Sequence, residues 1–370
     1  MEQNKVQATT GITFRVLVAL SICHCLNDTL QSVISAVYPL FKEDLGLSFA
    51  QIGLITLVYQ SAASVCQPLT GLFFDKWPSA WSLPTGMSFT LVGLLSLAFA
   101  GTLPLVLCSV ALVGIGSLVF HPEASRLTSL ASGGKRGLAQ SLFQVGGNLG
   151  GSLGPLLAAV FVAPYGRKHI ALFTILAFTA IIVMIPVGHW YKGLLLRLKK
   201  AEVEMPKTHV RTPLPMGKTV FSIVILLILI FSKYIYMASL NSYYTFYLIH
   251  KFGVSVQASQ LYLFVFLIAT AIGTLLGGPI GDRLGRKYVI WASILGAAPF
   301  TLIMPHVENL YLTAVLSFCV GLTLSSAFPA ILVYAQELLP YKLGLISGLF
   351  FGFAFEKSAV TYVKTVYYMS

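Results

Sequence analysis

Charge is scarce in this chain. Of its 370 residues only 10% are Asp, Glu, Lys or Arg, against 56% that are hydrophobic, and the mean hydropathy is +0.83. A soluble globular domain carries roughly 25% charged residues, so the composition excludes a water-soluble fold and indicates a polytopic membrane protein. Acidic residues are the scarcer sign, 12 against 24 Lys and Arg. The formal charge of +12 does not point to nucleic acid, because the basic residues sit in loops between apolar runs, where they orient a chain in a bilayer. Cysteine is also sparse. Cys23, Cys25, Cys66, Cys108 and Cys319 all lie within apolar runs without CxxC spacing, which argues against a disulfide framework or a zinc site. Cys23-His24-Cys25 resembles a metal triplet, but residues i and i+2 of a helix face different ways. No metal and no cofactor is expected. The first apolar run is far longer than the core of a signal peptide, so a cleaved leader is not expected. Neither a nucleophile–base set nor a GK[ST] phosphate loop is visible, and an enzyme is not expected.

What the chain has in abundance is membrane-length apolar sequence. A spanning helix needs about 20 such residues, and on that template spans fall near 14–40, 50–72, 82–101, 104–126, 138–163, 170–188, 219–249, 257–280, 288–306 and 308–336. The expected organisation is an N-terminal six-helix bundle over 1–188, a basic and proline-bearing linker over 189–218, and an incomplete second bundle over 219–355. An eleventh span starts at Gly344 and is interrupted by Glu356 and Lys357, so 356–370 reads as an atypical tail and the second bundle as truncated. Lys and Arg concentrate in the N-terminus, the linker and the loops after even-numbered spans, which places the N-terminus in the cytoplasm.

One loop organises the rest. Gly278-Pro-Ile-Gly-Asp282-Arg283-Leu-Gly285-Arg286-Lys287 joins two spans and gathers positive charge at one membrane surface. A worn copy, Gly71-Leu-Phe-Phe-Asp75-Lys76-Trp-Pro78-Ser79, lies 207 residues upstream, with proline and serine where the second copy has Gly285 and Arg286. The same offset pairs Gly46 with Gly253, Ser48 with Ser255, Gly114 with Gly321, Pro122 with Pro329, Lys135 with Lys342 and Gly137 with Gly344. The chain is two copies of one membrane unit, an arrangement of parallel repeats typical of transporters.

Ionisable groups inside spans are costly and mark function by default. Span 1 carries His24, Asn27 and Asp28; His24 and Asp28 are four apart and share a helix face. Span 4 ends in His121-Pro122-Glu123-Ala-Ser125-Arg126, where Glu123 and Arg126 can neutralise each other. Lys233 sits near the centre of span 7 and maps by the offset to Leu26, between His24 and Asp28. It is expected to bind an anion or to pair with Asp28. Span 5 carries Gly146-Gly147-Asn148-Leu-Gly150-Gly151-Ser-Leu-Gly154-Pro155, whose glycine spacing permits close helix contact.

The loop at 278–287 resembles the signature loop of the major facilitator superfamily. The Gly147–Pro155 stretch is similar to the fifth-helix motif of its antiporters, although Leu156 and Leu157 stand where a trailing glycine pair is usual. Together with His24–Asp28 and His121–Arg126, these motifs resemble the fosmidomycin-resistance branch over residues 12–355. The resemblance implies an all-α major facilitator fold of two six-helix repeats and a multi-pass bacterial inner-membrane drug exporter, driven by proton exchange. It marks Asp28, Glu123 and Arg126, with His24, Asn27, His121 and Lys233 beside them, as coupling or substrate residues. Gly71, Asp75, Gly278, Asp282, Arg283, Gly285 and Arg286 form the gating loops. The expected partners are a small-molecule substrate, protons and the bilayer, not nucleic acid, for a monomeric chain. Proton-coupled metabolite uptake is the alternative, and a truncated, inactive remnant is another.

Overall fold

The computed structural model describes residues 12–204 and 214–353. The tail at 356–370 and part of the linker lie outside the described residues. The described chain is helical throughout, with no strand among the described residues. In order the helices are α1 (Phe14–Ala36), α2 (Tyr38–Leu45), α3 (Phe49–Gln60), α4 (Gln67–Lys76), α5 (Ser82–Phe99), α6 (Leu103–Ala131) and α7 (Arg136–Phe161). They continue with α8 (Thr174–Glu204), α9 (Met216–Phe252), α10 (Val256–Leu284), α11 (Arg286–Ile303), α12 (Leu310–Leu338) and the short α13 (Leu343–Phe353). A π-helical turn, Ser61–Val65, joins α3 to α4 within the second span.

Nine helical segments among the described residues are long and apolar enough to cross a membrane. The fifth expected span, α7, has 26 residues but falls outside that set, because glycines and amides dilute its apolar content. The eleventh begins as α13. Span 6 runs further than its apolar run alone would take it. α8 continues to Glu204, since no proline interrupts it between Pro186 and Pro206 and Tyr191 is buried on its inner side.

The repeat is visible in the helix ends. Gly46 (φ 62°) and Gly253 (φ 65°), paired by the 207-residue offset, each end a helix in the left-handed conformation that glycine adopts without steric penalty. Ser48 and Ser255 then cap the following helices, accepting from Gln51 N–H and Ala258 N–H at 3.2 Å each. Gln51 completes a capping box by accepting from Ser48 N–H at 2.8 Å. Pro122 and Pro329 each lie inside a long helix.

By contacts the described chain forms two units. One comprises residues up to 133, 146–213 and 339 onward; the other comprises 134–145 and 214–338. In the second unit Met237, Phe266, Ala297, Val320 and Leu324 form a buried cluster, closed by Tyr236, Leu240, Leu263 and Phe300. In the first, α5 and α6 pack closely, and α7 lies on α1 through its glycines.

Candidate functional site

The first unit buries a polar cluster on α1. His24, Asn27 and Asp28 fall on adjacent turns, and the fold adds His121 from α6. Asp28 lies between two imidazoles: His24 Nε2 is 3.3 Å from Oδ2, and His121 Nε2 is 3.2 Å from Oδ1. Asn27 Nδ2 donates to the same Oδ1 at 3.1 Å. His24, Asn27 and His121 are buried, and 15% of the Asp28 side chain remains accessible. The environment is a hydrogen-bonded carboxylate rather than an acid in an apolar void.

The fifth-helix glycines explain how close this cluster is to α7. A Cβ at Gly147 would stand 2.5 Å from the His24 ring and 2.8 Å from Asp28 Oδ2. Only a residue without a side chain fits there. Gly150 and Gly154 meet backbone carbonyls of Cys25 and Thr29 in the same seam, whereas Gly151 is in ordinary contact and Asn148 and Pro155 are exposed. From α13, the Phe351 ring lies 5.5 Å from His121 and 6.2 Å from His24 and covers both imidazoles.

Spacing along the chain offers no metal-ligand set, yet His24, Asp28 and His121 bring their donor atoms within 4.8 Å of one another, close enough to hold an ion. His121 Nε2 and Asp28 Oδ1 already face each other at hydrogen-bonding distance, and His24 Nε2 stands 3.3 Å from Asp28 Oδ2. Cys23 takes no part, because its thiol turns to the Ala180 carbonyl of α8.

Glu123 and Arg126 behave differently from Asp28. Arg126 grips Glu123 with two bonds, Nε to Oε2 at 2.7 Å and Nη2 to Oε1 at 2.8 Å, and both side chains are buried. Ser82 Oγ donates to Glu123 Oε1 at 3.2 Å, and Arg126 Nη2 donates to the Tyr191 hydroxyl while its guanidinium lies 5.1 Å from that ring. This closed pair ties α5, α6 and α8 together.

Lys233 belongs to the second unit, buried on α9 with its Nζ 5.7 Å from the Tyr234 ring and 5.8 Å from the Phe328 ring. No carboxylate pairs with it among the described residues.

The two signature loops act as helix caps. Asp282 Oδ1 and Oδ2 accept from Gly137 N–H at 2.9 Å and Leu138 N–H at 2.8 Å, at the start of α7. Asp75 makes the same pair of bonds to Gly344 N–H and Leu345 N–H, at 2.9 Å each, at the start of α13. A carboxylate here satisfies orphan amide donors and the positive end of the helix dipole. The eleventh span is thus held by Asp75, while Asp282 holds the fifth. Arg286 Nη2 braces Asp282 Oδ1 at 2.7 Å and Glu337 Oε1 at 3.2 Å, and Nη1 donates to the Gly281 carbonyl at 2.6 Å. Gly71 and Gly278 are buried where their backbones approach Gly344 and Gly137. Gly285 turns the chain at φ 102°, and Arg283 is exposed.

Several contributors carry no signal of their own in the sequence. Gln31 lies three residues after Asp28 and Ser117 four before His121, spacings that do put them on the same helix faces. Tyr59, Ser82, Tyr191 and Phe351 come from distant segments, and no periodicity marks them.

Comparison with known proteins agrees with this architecture. The family model described as Major Facilitator Superfamily matches residues 20–356. The chain is 57% identical over 343 residues to the fosmidomycin resistance protein of Escherichia coli (strain K12), covering 93% of this chain and 83% of that one. It is 39% identical to the uncharacterized MFS-type transporter YfnC of Bacillus subtilis (strain 168), covering 97% of this chain and 88% of that one. Among solved structures it is similar in fold to the transporter FucP in the outward conformation, with a TM-score of 0.69 at 15% identity over 94% of this chain and 90% of that one. The proton:xylose symporter XylE gives a TM-score of 0.70 at 14% identity, over 95% and 88%. The chain belongs to the major facilitator superfamily and, within it, to the fosmidomycin-resistance branch.

Proposed function

We propose that this membrane transporter exports a small compound, fosmidomycin being the first candidate, in exchange for protons across a bacterial inner membrane. The carrying observation is the Asp28 carboxylate between His24 and His121, a buried group able to take up and release a proton next to the close α1–α7 seam. The relative named for fosmidomycin resistance supports the choice of substrate. A cytoplasmic N-terminus fits the distribution of Lys and Arg, and the transporter is read as a monomer.

In this reading Asp28 is the proton carrier, and Asn27, His24 and His121 orient it. Lys233 supplies positive charge to an anionic part of the substrate. Glu123 and Arg126 neutralise each other and brace the first unit. The caps at Asp75 and Asp282 hold one state of the transport cycle and release in the other; Gly71, Gly278 and Gly285 permit the approach, and Arg286 strengthens one cap. Expression in an efflux-deficient, fosmidomycin-sensitive strain tests direction. Export predicts raised resistance and lowered intracellular drug. Raised accumulation instead would establish the alternative, uptake.

A further inference from the structure

A line of side chains leads from Asp28 to the second span and uses residues that the reading above leaves idle. The Tyr59 hydroxyl donates to Gln31 Oε1 at 2.6 Å, and Gln31 Nε2 donates to Ser117 Oγ at 3.1 Å. Ser117 Oγ is 3.1 Å from His121 Nδ1, whose Nε2 is 3.2 Å from Asp28 Oδ1. Tyr59 is the penultimate residue of α3, which ends at Gln60 just before the π-helical turn, a kind of irregularity often found at functional sites.

Donor counting gives these bonds one self-consistent set of directions. Tyr59 has one proton and gives it to the carbonyl end of Gln31. The amide end of Gln31 then donates to Ser117 Oγ. The serine hydroxyl, with one lone pair taken by Gln31, keeps its own proton to offer to Nδ1 of His121 at 3.1 Å. A neutral imidazole that accepts at Nδ1 carries its proton on Nε2, aimed at Asp28. The opposite tautomer has a competing partner, because Nδ1 is also 3.2 Å from the Ser117 carbonyl, which could only accept. Without the hydroxyl, that carbonyl would draw the proton to Nδ1 and leave a bare Nε2 facing the carboxylate.

We propose that Gln31 and Ser117 are positioning residues that fix His121 as its Nε2–H tautomer, so that it donates to Asp28. The assignment gives polar side chains inside two spans a shared purpose. It rests on the proton-exchange reading only for its effect on transport, since the tautomer is a property of the resting protein. Asp28 is faced by His24 and Cys25 from α1, His121 from α6 and, at longer range, Tyr59 from α3. Gly147 of α7 and Phe351 of α13, which also pack against this cluster, bring no titratable group.

The test is nitrogen NMR of the purified full chain labelled with 15N-histidine, with His121 assigned by comparison with a His121→Gln sample. The expected result is a protonated Nε2 and bare Nδ1 in the wild type. Ser117→Ala should move His121 toward the Nδ1–H tautomer, Gln31→Leu should do so in part, and Ser117→Thr should keep the wild-type signal by retaining a hydroxyl. A wild-type Nδ1–H tautomer, or the same tautomer in Ser117→Ala, would overturn the proposal. If Ser117→Ala does not fold, Gln31→Leu decides, with an unchanged signal counting against it.

Fosmidomycin transport in vesicles supplies a second arm. Ser117→Ala should alter the pH profile of export, and Ser117→Thr should restore the wild-type profile. A wild-type rate indifferent to pH would count against proton exchange and leave the tautomer result standing.

Discussion

The two units share one device and differ in another. Each closes a signature loop by setting an aspartate against two amide donors at a helix start, Asp75 at Gly344 and Leu345, Asp282 at Gly137 and Leu138. The loop that lacks the arginine makes the same cap as the loop that has Arg286. The carboxylate is therefore the essential part, and the arginine is a brace. The buried charge on the corresponding helices is not repeated. α1 holds a carboxylate among imidazole and amide donors, while α9 holds Lys233 against aromatic faces. What recurs suits the motion common to both halves. In the proposed function, what differs serves chemistry: a proton in one unit, and in the other a negative charge that the described residues do not supply.

Breaking the non-repeated part should have the largest effect. Asp28→Asn keeps the shape and removes the titration, so pH-driven export should fall to the level of empty vesicles while substrate binding is partly retained. Stability should separate the two buried charges by sign. Asp28→Leu strands two imidazoles and an amide and should destabilise the folded protein by on the order of 3 kcal/mol. Lys233→Met removes a buried charge that no carboxylate among the described residues pairs and should leave thermal stability in detergent unchanged or raise it. Equal losses in the two variants would erase the distinction drawn between the units.

A smaller effect is expected on binding. Lys233→Gln should raise KM for an anionic substrate about tenfold, the scale of one charged hydrogen bond, with little change for a neutral one. The repeated part should give the mildest phenotype. Asp75→Asn and Asp282→Asn each weaken a cap worth about 1 kcal/mol, so turnover should slow severalfold with KM held. Arg286→Ala should reproduce part of the Asp282→Asn effect and leave the Asp75 cap intact, which can be read from turnover measured on all three variants.

Much of this was legible in the amino-acid sequence where local chemistry decides the outcome. The 207-residue offset found Gly46 with Gly253 and Ser48 with Ser255, because helix ends need left-handed glycines and side-chain caps whatever the surroundings. The glycines of α7 announced a close helix contact, and Glu123 and Arg126, three apart, announced a local ion pair. Partners from other helices were not legible. His121 reaches Asp28 across 93 positions, and Asp75 reaches Gly344 across 269. Periodicity shows which face a residue shares but not which helix lies opposite. For the same reason nothing in the sequence shows that the donors Asp282 meets are those of the fifth span. Tyr59, Gln31 and Ser117 are ordinary polar residues until folding lines them up.

The central claim is that substrate and proton are exchanged through Asp28. It is tested most directly by adding fosmidomycin to the purified protein in weakly buffered detergent solution and recording the pH. Over a series of starting pH values, there should be a range in which the wild type releases protons in proportion to the drug bound. Asp28→Asn should bind the drug and release none. Equal proton release from the two proteins, or binding without release in the wild type across the whole pH range, would contradict the account.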